Sequence, residues 1–213
     1  MVIRPTSKLL MIGDSITDCN RARPVGEAPA GGLGQGYVAL VDALLTTKYP
    51  DYQIRVQNVG TSGETVRHLA ARWQHDVLDL RPDFVSVLIG INDVWRQFDS
   101  PLRIESHVYL EEYELTLDTL VVQTLPHVEG MILMTPFFLE LSTADPMRAT
   151  MDLYGQAVKR IAQRHKTRFI DIQSAFDQLM QYVYGGTLAL DRVHPSMAGH
   201  MLIADAFIEE ITR

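Results

Sequence analysis

The stretch Lys8-Leu9-Leu10-Met11-Ile12-Gly13-Asp14-Ser15 is an apolar run that ends at a glycine and is followed at once by polar residues. A short run of this kind is typical of a buried strand that passes into a loop. A second strand is predicted at residues 54–57 and a third at residues 84–89, and Gly60 and Asn92 lie just beyond their ends. Because ligands of a parallel α/β sheet bind at the carboxyl ends of its strands, we expect Ser15, Gly60 and Asn92 to meet at one edge of a sheet.

The segments between these strands have the apolar spacing of amphipathic helices. Helices are predicted from Tyr37 to Pro50, over residues 65–80, around residues 110–121 and 147–161, and after Pro195, with Ser196 as the cap of the last helix. Two further strands are predicted at residues 131–134 and 169–171. This alternation predicts a three-layer α/β/α fold, in which helices cover both faces of a central parallel sheet of five strands.

The length, composition and charge indicate how many domains the chain forms and which kinds of partner it is expected to bind. A chain of 213 residues with 46% hydrophobic residues can form one substantial core, so a single domain over residues 1–213 is expected. The formal net charge is -7 and the 19 basic residues are scattered, which predicts neither a nucleic-acid groove nor binding to an anionic membrane surface. Residues 1–8 lack the apolar stretch of a signal peptide, so a cytoplasmic location is expected.

The cysteine and histidine pattern indicates no metal site. Cys19 is the one cysteine, which excludes an internal disulfide and a cysteine metal cluster, and it is interpreted as a small filler in its loop. His68 and His75 lie seven positions apart on one predicted helix, whereas helical metal-ligand pairs have a shorter spacing. Neither a metal nor another cofactor is expected.

Four distant segments carry the residue types that acyl transfer requires: Gly13-Asp14-Ser15-Ile16-Thr17-Asp18, Asn58-Val59-Gly60-Thr61-Ser62-Gly63, Gly90-Ile91-Asn92-Asp93 and Asp191-Arg192-Val193-His194-Pro195-Ser196. A serine hydroxyl becomes a good nucleophile when an imidazole takes its proton, and a carboxylate that orients the imidazole assists this transfer. Ser15, His194 and Asp191 can supply this set. His194 has a carboxylate three positions before it and lies next to a predicted helix start.

The tetrahedral intermediate of acyl transfer also needs donors for its oxyanion, and a glycine amide together with an asparagine side chain is suitable. Gly60 and Asn92 fit this requirement. Each residue also has a plainer, structural interpretation. Ser15 could be a helix cap, Asn92 a turn residue, and Gly60 a glycine that the backbone conformation requires. Their joint presence favours the catalytic interpretation. Asp14 is expected to pin the serine loop by accepting backbone hydrogen bonds.

In their order along the chain, the four segments resemble the sequence blocks of the SGNH, or GDSL, hydrolases, whose name lists the serine, glycine, asparagine and histidine quoted above. The similarity extends from Lys8 to about Phe207, with Ile16 in place of the leucine of the name motif. The resemblance implies a flavodoxin-like sheet order. It also implies a triad and an oxyanion hole, formed respectively by Ser15, Asp191 and His194 and by the Ser15 amide, the Gly60 amide and Asn92.

Other segments look like those of small bacterial acetyl esterases, the acetylxylan esterases in particular: Val66-Arg67-His68-Leu69-Ala70-Ala71-Arg72-Trp73, Gly90-Ile91-Asn92-Asp93-Val94-Trp95-Arg96-Gln97, Met134-Thr135-Pro136-Phe137 and Asp145-Pro146-Met147-Arg148. This narrower resemblance implies the removal of acetyl groups from a neutral small-molecule ester, such as an acetylated xylo-oligosaccharide. Trp95 and Arg96 follow Asn92 closely and are candidate substrate contacts. Tyr184, shortly before Asp191, is a further candidate.

Alternative functions would use the same residues. A lysophospholipase, a thioesterase or an aryl esterase would keep the mechanism and change the substrate, and an acyltransferase would replace water by an alcohol in the second half-reaction. A non-catalytic carbohydrate-binding protein belongs to another class, and a complete triad argues against it. The sequence leaves the oligomeric state open, with a homo-oligomer among the alternatives.

Overall fold

The computed structural model describes residues 1–213 and contains a six-stranded sheet. Its strands are β1 (Lys8–Gly13), β2 (Gly26–Glu27), β3 (Arg55–Asn58), β4 (Phe84–Leu88), β5 (Gly130–Met134) and β6 (Arg168–Ile170). They lie in the order β2-β3-β1-β4-β5-β6, and all pairings from β3 to β6 are parallel. The five parallel strands therefore have the predicted flavodoxin-like order. All five residues of β4 are buried, as expected of a strand that is covered on both faces.

The predicted number of five strands is wrong, because β2 adds a sixth. This strand has only two residues, and it pairs antiparallel with the outer edge of β3, Gly26 opposite Asn58 and Glu27 opposite Gln57. The Glu27 carboxylate accepts hydrogen bonds from the Arg55 guanidinium, which fixes the pairing. Two residues show no period, so nothing in the local sequence could identify β2.

The helices are α1 (Ser15–Asp18), α2 (Tyr37–Lys48), α3 (Val66–Trp73), α4 (Ile91–Asp99), α5 (Leu110–Thr124), α6 (Pro146–His165), α7 (Ile172–Leu179), α8 (Gly185–Leu188) and α9 (Met197–Thr212). The five predicted helices correspond to α2, α3, α5, α6 and α9. The chain continues beyond α3 as a π-helical turn, Gln74–Leu78, and together they span residues 66–78 of the predicted segment 65–80. Single 3-10 turns lie at Ile104–Ser106 and Leu125–His127.

Helices pack together on the two sides of the sheet. The helix α2 contacts α9, which also contacts α7, while α5 contacts both α3 and α6. The indole N–H of Trp73 on α3 donates a buried hydrogen bond of 2.9 Å to the Thr124 hydroxyl on α5. Of the apolar residues expected to be buried on the last helix, Ala204, Ile208 and Ile211 of α9 are buried. Met201 is partly buried and Met197 is exposed, so the expectation is wrong for Met197. None of these helices combines the length and the apolar character that crossing a bilayer would need.

Candidate active site

The loop between β1 and α1 places Ser15 at the carboxyl edge of the sheet. Gly13 ends β1, and a Cβ atom there would lie 2.2 Å from the Leu88 carbonyl oxygen of β4, so only glycine allows the two strands to approach this closely. Asp14 caps α1, because its carboxylate accepts a hydrogen bond of 3.0 Å from the Ile16 N–H. The predicted loop-pinning role of Asp14 is confirmed. Ser15 is the first residue of α1, where backbone N–H groups have no partner within the helix.

A continuous chain of hydrogen bonds joins the three predicted triad residues. The Ser15 Oγ lies 3.0 Å from His194 Nε2, and His194 Nδ1 lies 2.6 Å from Asp191 Oδ2. Asp191 Oδ1 also accepts the backbone N–H groups of Val193 at 3.0 Å and His194 at 2.8 Å. With the Nδ1 proton directed at the carboxylate, Nε2 is free to accept the serine proton.

The electrostatics of Asp191 suit this arrangement. Partial burial alone would raise the pKa of this carboxyl, but the hydrogen bonds from the His194 ring and from the two backbone N–H groups outweigh burial and lower the pKa below its ordinary value. Asp191 is therefore ionised at neutral pH. It can hold the imidazole in one orientation and stabilise the imidazolium that forms when Ser15 loses its proton.

A second histidine, His200, lies close to the serine loop but cannot act as the base. Its Nδ1 accepts the Tyr37 backbone N–H at 3.2 Å, and its Nε2 lies 3.4 Å from the Cys19 Sγ. Burial lowers the pKa of His200 to about 4, and burial raises the pKa of the Cys19 thiol to about 11. Both groups are thus neutral at pH 7, which agrees with Cys19 as a filler rather than a nucleophile.

The predicted oxyanion donor Asn92 lies in the first turn of α4 rather than in a simple turn. It is buried, with 2% of its surface exposed. Its Nδ2 donates to the Glu64 carbonyl oxygen at 3.0 Å, and its Oδ1 accepts from Arg96 Nη2 at 3.1 Å. The second Nδ2 hydrogen remains free at the wall of the cleft that holds Ser15.

The prediction that the Gly60 amide belongs to the oxyanion hole is wrong. The Gly60 N–H already donates to Asn58 Oδ1 at 2.9 Å, and Gly60 is buried. Glycine is needed there for packing, since a Cβ atom would lie 2.5 Å from the Asp18 backbone nitrogen. Gly63 is the better candidate, because it lines the cleft and its N–H makes no hydrogen bond within the protein. The sequence feature that points to Gly63 is that it is the second glycine of the same segment. Its φ is +80°, a backbone conformation that favours glycine.

The cleft in front of Ser15 has a volume of about 340 Å³. Its lining residues are mostly polar: Ser15, Cys19, Asn20, Ser62, Gly63, Asn92, Trp95, Arg96 and His194. Trp95 and Arg96 thus lie where the sequence predicts them. Tyr184 does not, because it is 84% exposed and lines a separate groove together with Tyr182 and Leu190. The structure gives Tyr184 no place in the cleft.

Two buried carboxyl groups flank the site. Asp14 precedes Ser15 and Asp93 follows Asn92, and each has one oxygen that accepts a backbone N–H and one oxygen without a hydrogen-bond partner. Burial raises the pKa of each carboxyl to about 7, against the lowering effect of its backbone hydrogen bond. Neither group contacts the His194 ring. Their role is to hold the backbone around the site, since each accepts a backbone N–H.

His68 and His75, which the sequence places on one helix, make structural contacts. The His68 ring bonds to the Thr65 backbone and hydroxyl in a capping box at the start of α3, and His75 pairs with Asp76 at the surface. No group of three or more histidine, cysteine, aspartate or glutamate side chains is arranged to hold a metal ion.

The sequence profile of the GDSL-like Lipase/Acylhydrolase family matches residues 11–202. A protein of Geobacillus stearothermophilus named acetylxylan esterase is 57% identical over 211 residues, which is 99% of this chain and 96% of the relative. The crystal structure of that esterase, also at 57% identity, superposes with a TM-score of 0.99 and covers 100% of this chain and 97% of the other. An alpha/beta hydrolase from the metagenome of Lake Arreo, Spain, is 51% identical, with a TM-score of 0.98 and coverage of 100% and 98%.

Three further structures of the Geobacillus esterase are described as catalytic mutants. The mutated residues are a serine numbered 15, an aspartate numbered 191 and a histidine numbered 194. The same numbers carry Ser15, Asp191 and His194 in this chain.

Proposed function

Because the chain belongs to the GDSL-like lipase/acylhydrolase family and is a carboxylic ester hydrolase, we propose that it removes acetyl groups from acetylated xylo-oligosaccharides. The observation that carries the chemistry is the unbroken chain of hydrogen bonds from Asp191 through His194 to Ser15 at the cleft. The observation that favours the acetylated sugar is the extensive identity to a protein named acetylxylan esterase. The polar lining of the cleft agrees with a short acyl group on a hydroxylated alcohol.

In the proposed mechanism, Ser15 Oγ attacks the acetyl carbonyl carbon while His194 Nε2 takes the serine proton. The negative charge moves to the former carbonyl oxygen, where the backbone N–H groups of Ser15 and Gly63 and the free Nδ2 hydrogen of Asn92 stabilise it. When the tetrahedral intermediate collapses, the C–O bond to the sugar breaks. The sugar oxygen takes the proton from His194 and leaves an acetyl-Ser15 ester.

Water completes the reaction in the second half. His194 removes a proton from the attacking water, and the same donors stabilise the second tetrahedral intermediate. Collapse of this intermediate breaks the ester bond to Ser15, whose oxygen regains its proton from His194, and acetate leaves. No other group is required for these proton transfers, because one imidazole acts as base and then as acid in each half-reaction.

The geometry of the cleft supports a preference for acetyl. Of its nine lining residues, only Cys19 and Trp95 are apolar, so the methylene groups of a long acyl chain would find little apolar surface. A pocket that accepts longer chains gains about 1–3 kcal/mol of discrimination for each methylene group that fits. A polar cleft offers no such gain.

The test is a series of initial rates on 4-nitrophenyl acetate, butyrate and octanoate, together with acetylated xylose, acetylated xylo-oligosaccharides and a lysophospholipid. We expect the acetyl ester to react fastest in the matched series, and the acetylated sugars to react faster than the lysophospholipid. Rates that peak at octanoate would overturn the acetyl specificity and leave the triad assignment intact. Product analysis with excess xylose would reveal an acyltransferase, since acetyl-xylose would then form in place of acetate.

A further inference from the structure

We propose that Arg96 is the positioning residue of the oxyanion donor Asn92, and that it acts on the reaction through Asn92 rather than through the substrate. The two residues are one turn apart on α4, and Arg96 Nη2 donates to Asn92 Oδ1 at 3.1 Å. This inference rests on the proposed esterase mechanism, in which the Asn92 amide stabilises the oxyanion. The sequence alone suggested Arg96 as a substrate contact.

The hydrogen bonds of Asn92 show why its orientation matters. Its amide has one acceptor and two hydrogens, and the two ends have nearly the same shape. Arg96 occupies the acceptor, and the Glu64 carbonyl oxygen accepts one Nδ2 hydrogen at 3.0 Å. The other hydrogen is left for the cleft. A flipped amide would place Oδ1 beside the Glu64 carbonyl oxygen and would direct an acceptor toward the oxyanion, which would repel it.

Arg96 specifies this orientation because a guanidinium can only donate. A neutral residue with both a donor and an acceptor would allow either orientation of the amide. The hydrogen bond from a charged donor is also stronger than a neutral one, and it polarises the amide so that the remaining Nδ2 hydrogen becomes a better donor. The cation near the oxyanion thus contributes through the asparagine that it contacts.

Three contacts hold the guanidinium in place at the cleft wall. Besides Asn92, Arg96 forms an ion pair with Asp99, one turn further along α4. Its Cζ lies 5.1 Å from the centroid of the Trp95 ring, within the range of a cation–π contact. With 31% of the side chain exposed, Arg96 is restrained on several sides before a substrate arrives. Such a group suits the preorganisation of a donor.

The decisive experiment is a double-mutant cycle of Asn92→Ala and Arg96→Ala. The single variant Arg96→Ala is expected to lower kcat on 4-nitrophenyl acetate by about tenfold with little change in KM, and the double variant is expected to match Asn92→Ala alone. Arg96→Lys, which retains a charged donor, should recover part of the loss. Arg160→Ala is the matched control, because it also removes a helical arginine with a carboxylate partner, Glu114, and lies outside the cleft.

Two outcomes would overturn the proposal. A rise in KM with unchanged kcat would make Arg96 a substrate contact, and an equal loss of kcat in the Asn92→Ala background would show that Arg96 acts independently of Asn92. Melting temperatures of all variants identify any loss caused by unfolding.

A second measurement separates this inference from the choice of substrate. A boronic acid forms a tetrahedral adduct with a serine nucleophile, and one of its oxygens can occupy the oxyanion position without any ester being present. Arg96→Ala should weaken phenylboronic acid binding by about tenfold in the Asn92 protein and leave it unchanged in the Asn92→Ala protein. Equal affinity in the wild type and Arg96→Ala would contradict the role of Arg96. Failure of the wild type to cleave acetyl esters would contradict only the proposed function.

Discussion

The indole of Trp95 packs edge-on against the imidazole of His194, with ring centroids 5.8 Å apart and ring planes inclined by 64°. Both nitrogens of the His194 ring are occupied by hydrogen bonds to Asp191 and Ser15. Hydrogen bonds through the ring nitrogens leave the imidazole free to tilt about the axis that joins them, whereas the contact with Trp95 opposes this tilt. Trp95, which the sequence suggests as a substrate contact, therefore also supports the base.

Trp95→Leu should accordingly lower kcat for a small acetyl ester that is too short to reach a sugar-binding surface. An aromatic pair contributes about 0.5–1.5 kcal/mol beyond the area that it buries, so a loss of about two- to tenfold is expected. Trp95→Phe keeps an aromatic edge and should retain most of the activity. Steady-state rates on 4-nitrophenyl acetate and on acetylated xylose distinguish the roles, because a pure stacking contact would change KM for the sugar alone.

Removal of a triad member should nearly abolish turnover. We expect Ser15→Ala and His194→Ala each to lower kcat by about a thousandfold or more, and Asp191→Asn to be severe because the amide favours the wrong imidazole tautomer. His75→Ala serves as the control, since His75 is an exposed histidine whose partner is Asp76. A mild effect of Asp191→Asn would mean that another group orients His194.

Asn92→Ala should lower kcat by about a hundredfold or more with little change in KM, because an oxyanion donor acts mainly on the transition state. The measurement is kcat and KM for the best acetyl ester, with circular dichroism to confirm the fold. An increase in KM alone would reassign Asn92 to ground-state binding.

The two glycines of the second segment should respond differently to alanine. At Gly63 the new methyl group meets nothing within 4 Å, but the φ of +80° strains an alanine by about 1–2 kcal/mol and shifts the N–H that we assign to the oxyanion. Gly63→Ala should therefore reduce kcat more than thermal stability. Gly60→Ala forces its Cβ against the Asp18 backbone and should lower the melting temperature more strongly. Full activity of Gly63→Ala would remove it from the oxyanion hole.

The buried carboxyls predict a stability that declines as the pH rises. With a pKa of about 7 in the folded protein and an ordinary value of 3.8, Asp93 retains a proton between these limits that the unfolded chain has lost. The free energy of unfolding therefore falls across this window, by an amount on the order of a few kcal/mol. Asp93→Asn keeps the acceptor for the Val66 N–H and removes the ionisation, so urea unfolding from pH 4.5 to 8 should show a shallower decline.

The control for this comparison is Asp51→Asn, at an exposed position, which should show the wild-type decline. An identical slope in wild type and Asp93→Asn would mean that Asp93 is ionised throughout the window in the folded protein.

The sequence predicts the parts of the fold that have a clear period. The run at β1, the helix between Tyr37 and Pro50 and the long apolar faces of α5 and α6 are all confirmed. Short elements cannot be predicted in this way, because they are too short to show a hydrophobic period. The helix α1 has four residues and begins with the nucleophile. The helix α4 follows Gly90, a cap residue at φ +130°, and carries Asn92 in its first turn, a position that in the sequence was also compatible with a turn residue. Long-range packing, rather than local propensity, determines these segments.

The same distinction applies to the site. Ser15, His194 and Asp191 could be identified because each has a characteristic chemistry, and the structure brings them together. Gly60 was a wrong choice because a backbone amide looks the same at every glycine, and only the fold shows that Asn58 already uses it. Ser196 stands at the predicted cap of α9, yet its hydroxyl forms no capping bond. Hydrogen-bond partners of this kind depend on distances that a sequence does not contain.

The acid and the base of the triad share one short loop, and Asp191 holds that loop together through three hydrogen bonds from Val193 and His194. The pair is therefore assembled within the loop itself, while Ser15 is positioned by the end of β1 in the sheet. The hydrogen bond that joins this pair to the nucleophile is a single one of 3.0 Å, between Ser15 Oγ and His194 Nε2. Acid and base are thus paired by local chain geometry, whereas the activation of the nucleophile depends on one contact between segments 179 residues apart in sequence.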